Sequence, residues 1–337
     1  MSLPHRKLGP FSVSSVILGC MNLSHAYGQK PKREDAIRLL NRALDLGVDM
    51  LDTAALYGMG TNEELVAEAV GHRADEYVLA SKCVLFAEDG KRQLDGRPET
   101  IARVLEGSLK RLNRDCIDLL YLHRLDMSVP IEDSVGALAD AKAAGKIRHI
   151  GLSEVGAETI RRAHDVSPVA VVQSEYSPTV RNPEVAVLDT CAELGIGFAA
   201  FSPLARGLLA DAIRSDDYVK GDLRTIMPRF CEPLLTHNLK AVDRFNALAR
   251  SHGLTPARLS IAWVLAQAKH VVALPGTRSL DHLEEDVAAA HDTIEPSVVE
   301  AVNEIFDGDA IRGPRYPARS QEQIDTELLP GEKLENA

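Results

Sequence analysis

Along the chain, short continuous apolar runs alternate with stretches whose apolar residues recur every three to four positions. The continuous runs fall at 16–19, 48–51, 77–82, 117–123, 147–152, 169–172, 197–201 and 271–274. Strands buried on both faces read this way, without polar alternation. Between them the spacing predicts helices. Residues 34–46 place Ile37, Leu40 and Leu44 on one face, and 98–112 do the same with Ile101, Val104, Leu105, Leu109 and Leu112. Further helices are expected around Val135 and Leu138 and over 158–164, 184–194, 238–251 and 280–290. Thr61-Asn62-Glu63-Glu64 reads as a capping box opening another. Gly47, Gly145 and Gly195 each stand between a helix and the next strand, where a left-handed residue ends the helix. Residues 5–16, turning at Leu8-Gly9-Pro10, predict a hairpin laid across one end. Eight buried runs joined by helices predict an α/β fold, a closed (β/α)8 TIM barrel forming one domain over 1–337.

Three segments fall outside the repeat: 84–99, 203–237 and a Pro- and Gly-rich tail over 307–337. Long loops in a compact domain are usually functional, and a barrel's active site lies where its strands end. Both loops are therefore expected on that face, with the tail near the substrate entrance. A hydrophobic fraction of 45% over 337 residues suits a globular chain of this size. The formal charge of −11 argues against nucleic-acid or acidic-membrane partners, and means that an anionic cofactor needs a local positive patch. No apolar run approaches ~18 residues, and no apolar stretch follows the first basic residues, so a soluble, cytoplasmic protein is expected. Five cysteines without C-x-x-C or metal-ligand spacing read as reduced thiols, and no metal site is expected. Oligomeric state is left open.

The candidate chemistry sits at strand ends. Asp52 closes the second run with Tyr57 five residues on, Lys82 closes the third and His123 the fourth. Alone, each has a structural reading: a cap, a packed phenol, a core histidine. Together at successive strand ends they outline one site. Hydride addition to a carbonyl leaves an alkoxide that must be protonated. A phenol with a reference pKa of ~10 is a poor acid near neutrality unless a cation eases its ionisation. For that reaction Lys82 is the expected cation, with Asp52 holding it, His123 aligning the carbonyl oxygen and Tyr57 the expected proton donor.

LDTAALYG (51–58), LASKC (79–83), YLHRLD (121–126), IGLSE (150–154), VQSEY (172–176), AFSPLARG (200–207) and LPGTR (274–278) occur in this order. With LGCMN (18–22), HLEED (282–286) and the Gly313, Arg315, Tyr316, Pro317 pattern, the chain resembles the aldo-keto reductase superfamily, nearest a bacterial and plant branch. The resemblance implies NADPH and reversible reduction of small aldehydes or ketones. It also implies a cofactor site of Met21, Ser153, Gln173, Phe201, Ser202, Leu204, Gly207, Gly276, Thr277, Arg278, His282, Glu285 and Asp286. In it Ser153 and Gln173 hold the carboxamide, Phe201 stacks on the nicotinamide, and the 202–207 main chain meets the pyrophosphate. Many relatives carry Asn where Glu154 stands, and a lysine and an arginine where Gly276 and His282 stand. Selectivity for the 2′-phosphate then rests on Thr277 and Arg278. Met21, Phe86, Arg124, Tyr176 and Tyr316 are expected on the substrate wall. Potassium-channel β-subunits share the resemblance, so a cofactor-binding auxiliary subunit with little turnover is the alternative. A barrel metallohydrolase built on Asp52, His123 and Glu154 lacks the histidine pairs such sites use.

Overall fold

The computed structural model describes residues 2–332. It opens with an antiparallel hairpin, β1 (His5–Leu8) and β2 (Phe11–Ser14). The chain then runs through β3 (Leu18–Gly19), α1 (Arg33–Asp45), β4 (Met50–Asp52), α2 (Thr61–Val70) and β5 (Val78–Cys83). A second hairpin follows, β6 (Leu85–Glu88) and β7 (Lys91–Leu94), leading into α3 (Pro98–Leu112). Next come β8 (Ile117–Leu122), α4 (Ile131–Ala143), β9 (Ile147–Ser153), α5 (Ala157–Val166), β10 (Val169–Glu175), α6 (Val187–Leu194) and β11 (Gly197–Phe201). The last elements are α7 (Leu234–Ser251), α8 (Pro256–Gln267), β12 (Val271–Leu274), α9 (Leu280–Ala288), α10 (Pro296–Ile305) and α11 (Ala318–Gln321).

β3, β4, β5, β8, β9, β10, β11 and β12 form one eight-stranded parallel sheet in that order. Its ends meet: Ile17 N–H donates to the Ala273 carbonyl at 2.9 Å, and Ala273 N–H to Ser15 at 2.9 Å. The barrel expected from the eight runs is therefore present. Residues alternate across its wall with the period of two that a strand dictates. Met50, Ala80, Leu119, Tyr121, Val171, Ala199, Val272 and Leu274 fill the interior, with Leu8 and Val13 of the first hairpin closing the bottom. Leu51, Leu79, Leu120, Leu122, Val172 and Ala200 pack outward against the helices. Gly47, Gly145 and Gly195 take the left-handed conformation expected of them, at φ 92°, 74° and 70°.

Three details differ from the sequence expectation. Thr61 is the first residue of α2 rather than its cap, and its hydroxyl donates to the Gly58 carbonyl at 2.8 Å. With Thr61 inside the helix, no capping box forms with Glu64; the neighbouring Glu63 is buried instead, its carboxylate accepting from Ser81 Oγ at 2.6 Å and Arg111 Nε at 2.7 Å. The 84–99 segment is no plain loop: Asp89-Gly90, both at positive φ, turn the β6–β7 hairpin. α8 and α10 were not foreseen. Leu259, Ile261, Ala262, Trp263 and Val264 are all buried, so α8 shows no one-sided stripe to read.

The tail is tied to the top of the barrel. Asp325 and Glu327 accept from the Gly156 and Ala157 N–H groups, each at 2.7 Å, and so cap α5 in place of a local side chain. Leu125 N–H donates to Gln323 at 3.0 Å, and Arg92 on β7 donates to the Gln323 side chain. Residues 333–337 of the expected tail segment lie outside the described residues.

Candidate active site

Strand parity builds the site. Continuing each strand by two from an interior residue gives Asp52 after Met50, Lys82 after Ala80, His123 after Tyr121, Gln173 after Val171 and Phe201 after Ala199. All five thus point into the mouth of the barrel at its carboxyl end. A cleft of about 600 Å³ opens there and runs from Tyr57 and His123 to the start of α9. Asp52, Tyr57 and His123 line it, as do Met21, Gln173, Phe201, Ser202, Leu204, Gly207, Gly276, Thr277, Arg278, His282, Glu285 and Asp286. Lys82 and Ser153, both fully buried, lie behind this wall rather than on it.

Lys82 is the hub of the floor. Its Nζ pairs with Asp52 Oδ1, donates to the Thr53 carbonyl at 2.9 Å and reaches Tyr57 Oη at 3.2 Å. Asp52 Oδ2 accepts from Gln173 Nε2 at 2.8 Å, so both carboxylate oxygens are engaged. Burial pulls the Lys82 ammonium down, but Asp52 and the Tyr57 hydroxyl outweigh it and hold it above its ordinary value. Burial also raises the Tyr57 phenol, with the Lys82 charge pulling the other way. The phenol therefore keeps its proton at neutral pH, and the adjacent ammonium stabilises the phenolate once that proton leaves. The Tyr57 and His123 rings meet edge-on at 5.7 Å. Burial, then the charges of Arg124 and Lys82, press the His123 imidazole well below its usual value, so it is neutral and offers one N–H. Its Nδ1 is buried without a partner among the described residues.

Toward α9 the cleft changes character. Phe201 forms part of the wall, and Arg278 folds over the 24–30 loop, donating to the carbonyls of Gln29 and, at 3.3 Å, of Tyr27. No carboxylate pairs with Arg278 among the described residues. Thr277 Oγ1 accepts from Ser279 N–H at 3.1 Å, and Asn22 donates to the Gly276 carbonyl at 2.8 Å. Asp286 is buried with Oδ1 unpartnered, and burial, reinforced by Glu285, raises its carboxyl well above the usual range. The 203–237 loop crosses to the opposite rim: Asp222 accepts from Gly28 N–H at 2.7 Å, and Arg206 donates to the Tyr27 hydroxyl at 2.7 Å.

Glu154 does not face the cleft. Its carboxylate accepts from Glu175 N–H at 2.7 Å and pairs with buried Arg315 at 3.1 Å, fastening the tail. The charge that cannot mimic an amide donor here serves a structural pair. Of the expected wall residues, Met21, Arg124 and Tyr316 line the cleft. Phe86 and Tyr176 do not. Phe86 points outward under Arg103, and Tyr176 is fully buried against Phe198 and Trp263. Sequence reasoning missed His25, whose ring lies 5.7 Å from that of Tyr57, and Arg92, carried by the β6–β7 hairpin. The Asp89-Gly90 turn was the signal for the hairpin; His25 carried none.

Comparison with known proteins identifies the family and matches the fold. The sequence model of the Aldo/keto reductase family matches residues 15–307. The chain belongs to the aldo/keto reductase family. This family member is 40% identical to the aldo-keto reductase yakc [NADP(+)] of Schizosaccharomyces pombe over 98% of its own length and 100% of the relative's. Among solved structures it is similar to the glycerol dehydrogenase AKR11B4 from Gluconobacter oxydans, at 29% identity and TM-score 0.83, covering 94% of this chain and 99% of that one. The holo form of the aldo-keto reductase AKR11C1 from Bacillus halodurans matches at 25% identity and TM-score 0.76, over 90% and 96% of the two chains. Among the described residues, no helix is long and apolar enough to cross a membrane.

Proposed function

We propose that this family member reduces aldehydes or ketones to alcohols, reversibly, with NADPH as hydride donor and Tyr57 as proton donor. The observation that carries the reading is the Tyr57 hydroxyl at 3.2 Å from the ammonium of buried Lys82, beside a neutral His123. Bound NADPH supplies the hydride. Tyr57 gives its proton to the developing alkoxide, Lys82 stabilises the phenolate left behind, and Asp52 fixes Lys82. The neutral His123 imidazole donates its N–H to the carbonyl oxygen.

The residues fit the cofactor. The cleft is continuous from Tyr57 to Arg278, passes the Phe201 ring, and ends at a guanidinium that no carboxylate among the described residues neutralises. In this reading Met21, Ser202, Leu204 and Gly207 border the cofactor's middle. Gly276, Thr277, Arg278, His282, Glu285 and Asp286 border its adenosine end. Gln173 serves the carboxamide, whereas Ser153, expected to share that role, lies behind the wall and holds Arg124 through its hydroxyl at 3.2 Å. The NADP(+) in the name of the Schizosaccharomyces pombe relative supports the choice of cofactor.

The test is NADPH oxidation followed by absorbance with a panel of small aldehydes, quinones and ketones. Turnover of several carbonyls at rates typical of enzymes, on the order of 1 s⁻¹ or faster, supports a reductase. Tight NADPH binding with no turnover of any carbonyl would instead favour a cofactor-binding auxiliary subunit.

A further inference from the structure

The Tyr57 end of the cleft carries positive charge that no carboxylate among the described residues pairs with. Arg124, directly after His123, donates to the His123 carbonyl at 2.7 Å, to Ser153 Oγ at 3.2 Å and to the Tyr316 hydroxyl at 3.4 Å. Its guanidinium also lies over the rings of Phe201 and Tyr316, at 5.9 and 5.8 Å. Arg92 stands at the mouth on β7 and donates to the side-chain carbonyl of Gln323. Every acceptor is neutral, and neither arginine has a carboxylate partner among the described residues. The cleft's other arginines on the 203–237 loop differ: Arg206 pairs with Glu175 and Arg224 with Asp222, each at 2.7 Å.

Among the described residues, the surrounding wall offers no free anion either. Asp52 is taken by Lys82, and Glu285 and Asp286 lie at the far end on α9. The two arginines are close enough to influence the site: Arg124 weighs on both Tyr57 and His123, and burial followed by Arg124 lowers Arg92 itself. In a chain of net charge −11, a concave cluster of like charge marks where an anion is wanted.

We propose that the preferred carbonyl substrate carries an anionic group, a carboxylate or a phosphate, held by Arg124 with Arg92 at the mouth. A guanidinium presents paired donors suited to either group. The inference rests on the reductase reading, which puts the carbonyl at Tyr57 and the cofactor along Phe201 to Arg278.

The test compares 4-formylbenzoate with its methyl ester, which differ in charge and little in shape. Expected is a kcat/KM about tenfold or more higher for the carboxylate, carried mainly by KM. The ratio should fall between about 0.05 and 0.5 M salt, because Arg92 is exposed. Arg124→Met should bring the ratio close to one, Arg92→Gln should lower it, and Arg124→Lys, which keeps the charge without the paired donors, should fall between wild type and Arg124→Met. Glyceraldehyde 3-phosphate against glyceraldehyde repeats the comparison for phosphate, and the larger ratio identifies the anion. An ester reduced as well as the carboxylate, with no phosphate preference, overturns the proposal. So does a wild-type ratio that Arg124→Met leaves unchanged. If no aldehyde is reduced, calorimetric binding of 4-formylbenzoate and its ester decides. Carboxylate-selective binding lost in Arg124→Met upholds the anion site while the reductase reading fails, and equal binding overturns both.

Discussion

Replacing Lys82 with methionine keeps the length of the side chain and removes the charge. In the native protein Lys82 is fully buried and holds Asp52 Oδ1, the Thr53 carbonyl and Tyr57 Oη. The variant leaves the Asp52 carboxylate buried with Gln173, at 2.8 Å, as its one remaining side-chain partner among the described residues. Breaking one side of a buried ion pair costs about 3–5 kcal/mol. The Tyr57 phenol, already raised by burial, loses the charge that opposes that rise, so its proton becomes harder to give up. Loss of assisted proton transfer lowers kcat by ~10²–10⁴. The two effects separate in the double variant Asp52→Asn/Lys82→Met, which removes the stranded carboxylate. It should recover most of the stability in urea unfolding and none of the activity. Carbonyl reduction by the single variant at more than about a tenth of the wild-type kcat would refute the role of Lys82. Equal instability of single and double variants would refute the account of Asp52.

Arg278→Ala should raise the KM for NADPH by ~10- to 150-fold and leave that for NADH nearly unchanged, since hydrogen bonds to charged groups contribute ~1.5–3 kcal/mol. The lower half of the range is expected, because Arg278 must also leave the carbonyls of Gln29 and Tyr27; steady-state kinetics with both cofactors checks it, and equal loss would make Arg278 structural. Phe201→Ala should weaken NADPH binding by ~0.5–1.5 kcal/mol beyond the lost area, and an unchanged dissociation constant in a fluorescence titration would remove the stacking. Asp286→Asn should stabilise the cofactor-free protein at pH 8 and do so much less near pH 4. The sign follows from linkage: the folded carboxyl is raised, so the unfolded chain releases its proton first and stability falls as pH rises above the unfolded value. Thermal melts at both pH values test it, and a gain of the same size at both would contradict the buried neutral carboxyl.

Much of the site was legible because a barrel strand fixes side-chain direction by parity alone. Once 117–123 reads as a buried strand, His123 must point into the mouth if Tyr121 fills the interior. The same logic places Asp52, Lys82, Gln173 and Phe201. What parity does not reach was lost. Glu154 follows the last residue of β9, where its φ of 58° turns it out of register and toward Arg315, far along the chain. No local pattern announces a pair between Glu154 and the tail. α8 escaped because a helix buried on every side has no polar face to set its period. Arg92 escaped because the hairpin carrying it is short and charged, and its importance depends on where β7 stands over the cleft.

The central claim is that the Tyr57 hydroxyl protonates the alkoxide and does nothing for the cofactor. Tyr57→Phe deletes that oxygen alone, and measuring kcat and the NADPH dissociation constant on the same preparation separates the two roles. The account predicts kcat reduced by ~10²–10⁴ with cofactor affinity unchanged. A variant that keeps more than about a tenth of the wild-type kcat, or that loses NADPH affinity in step with activity, would contradict it.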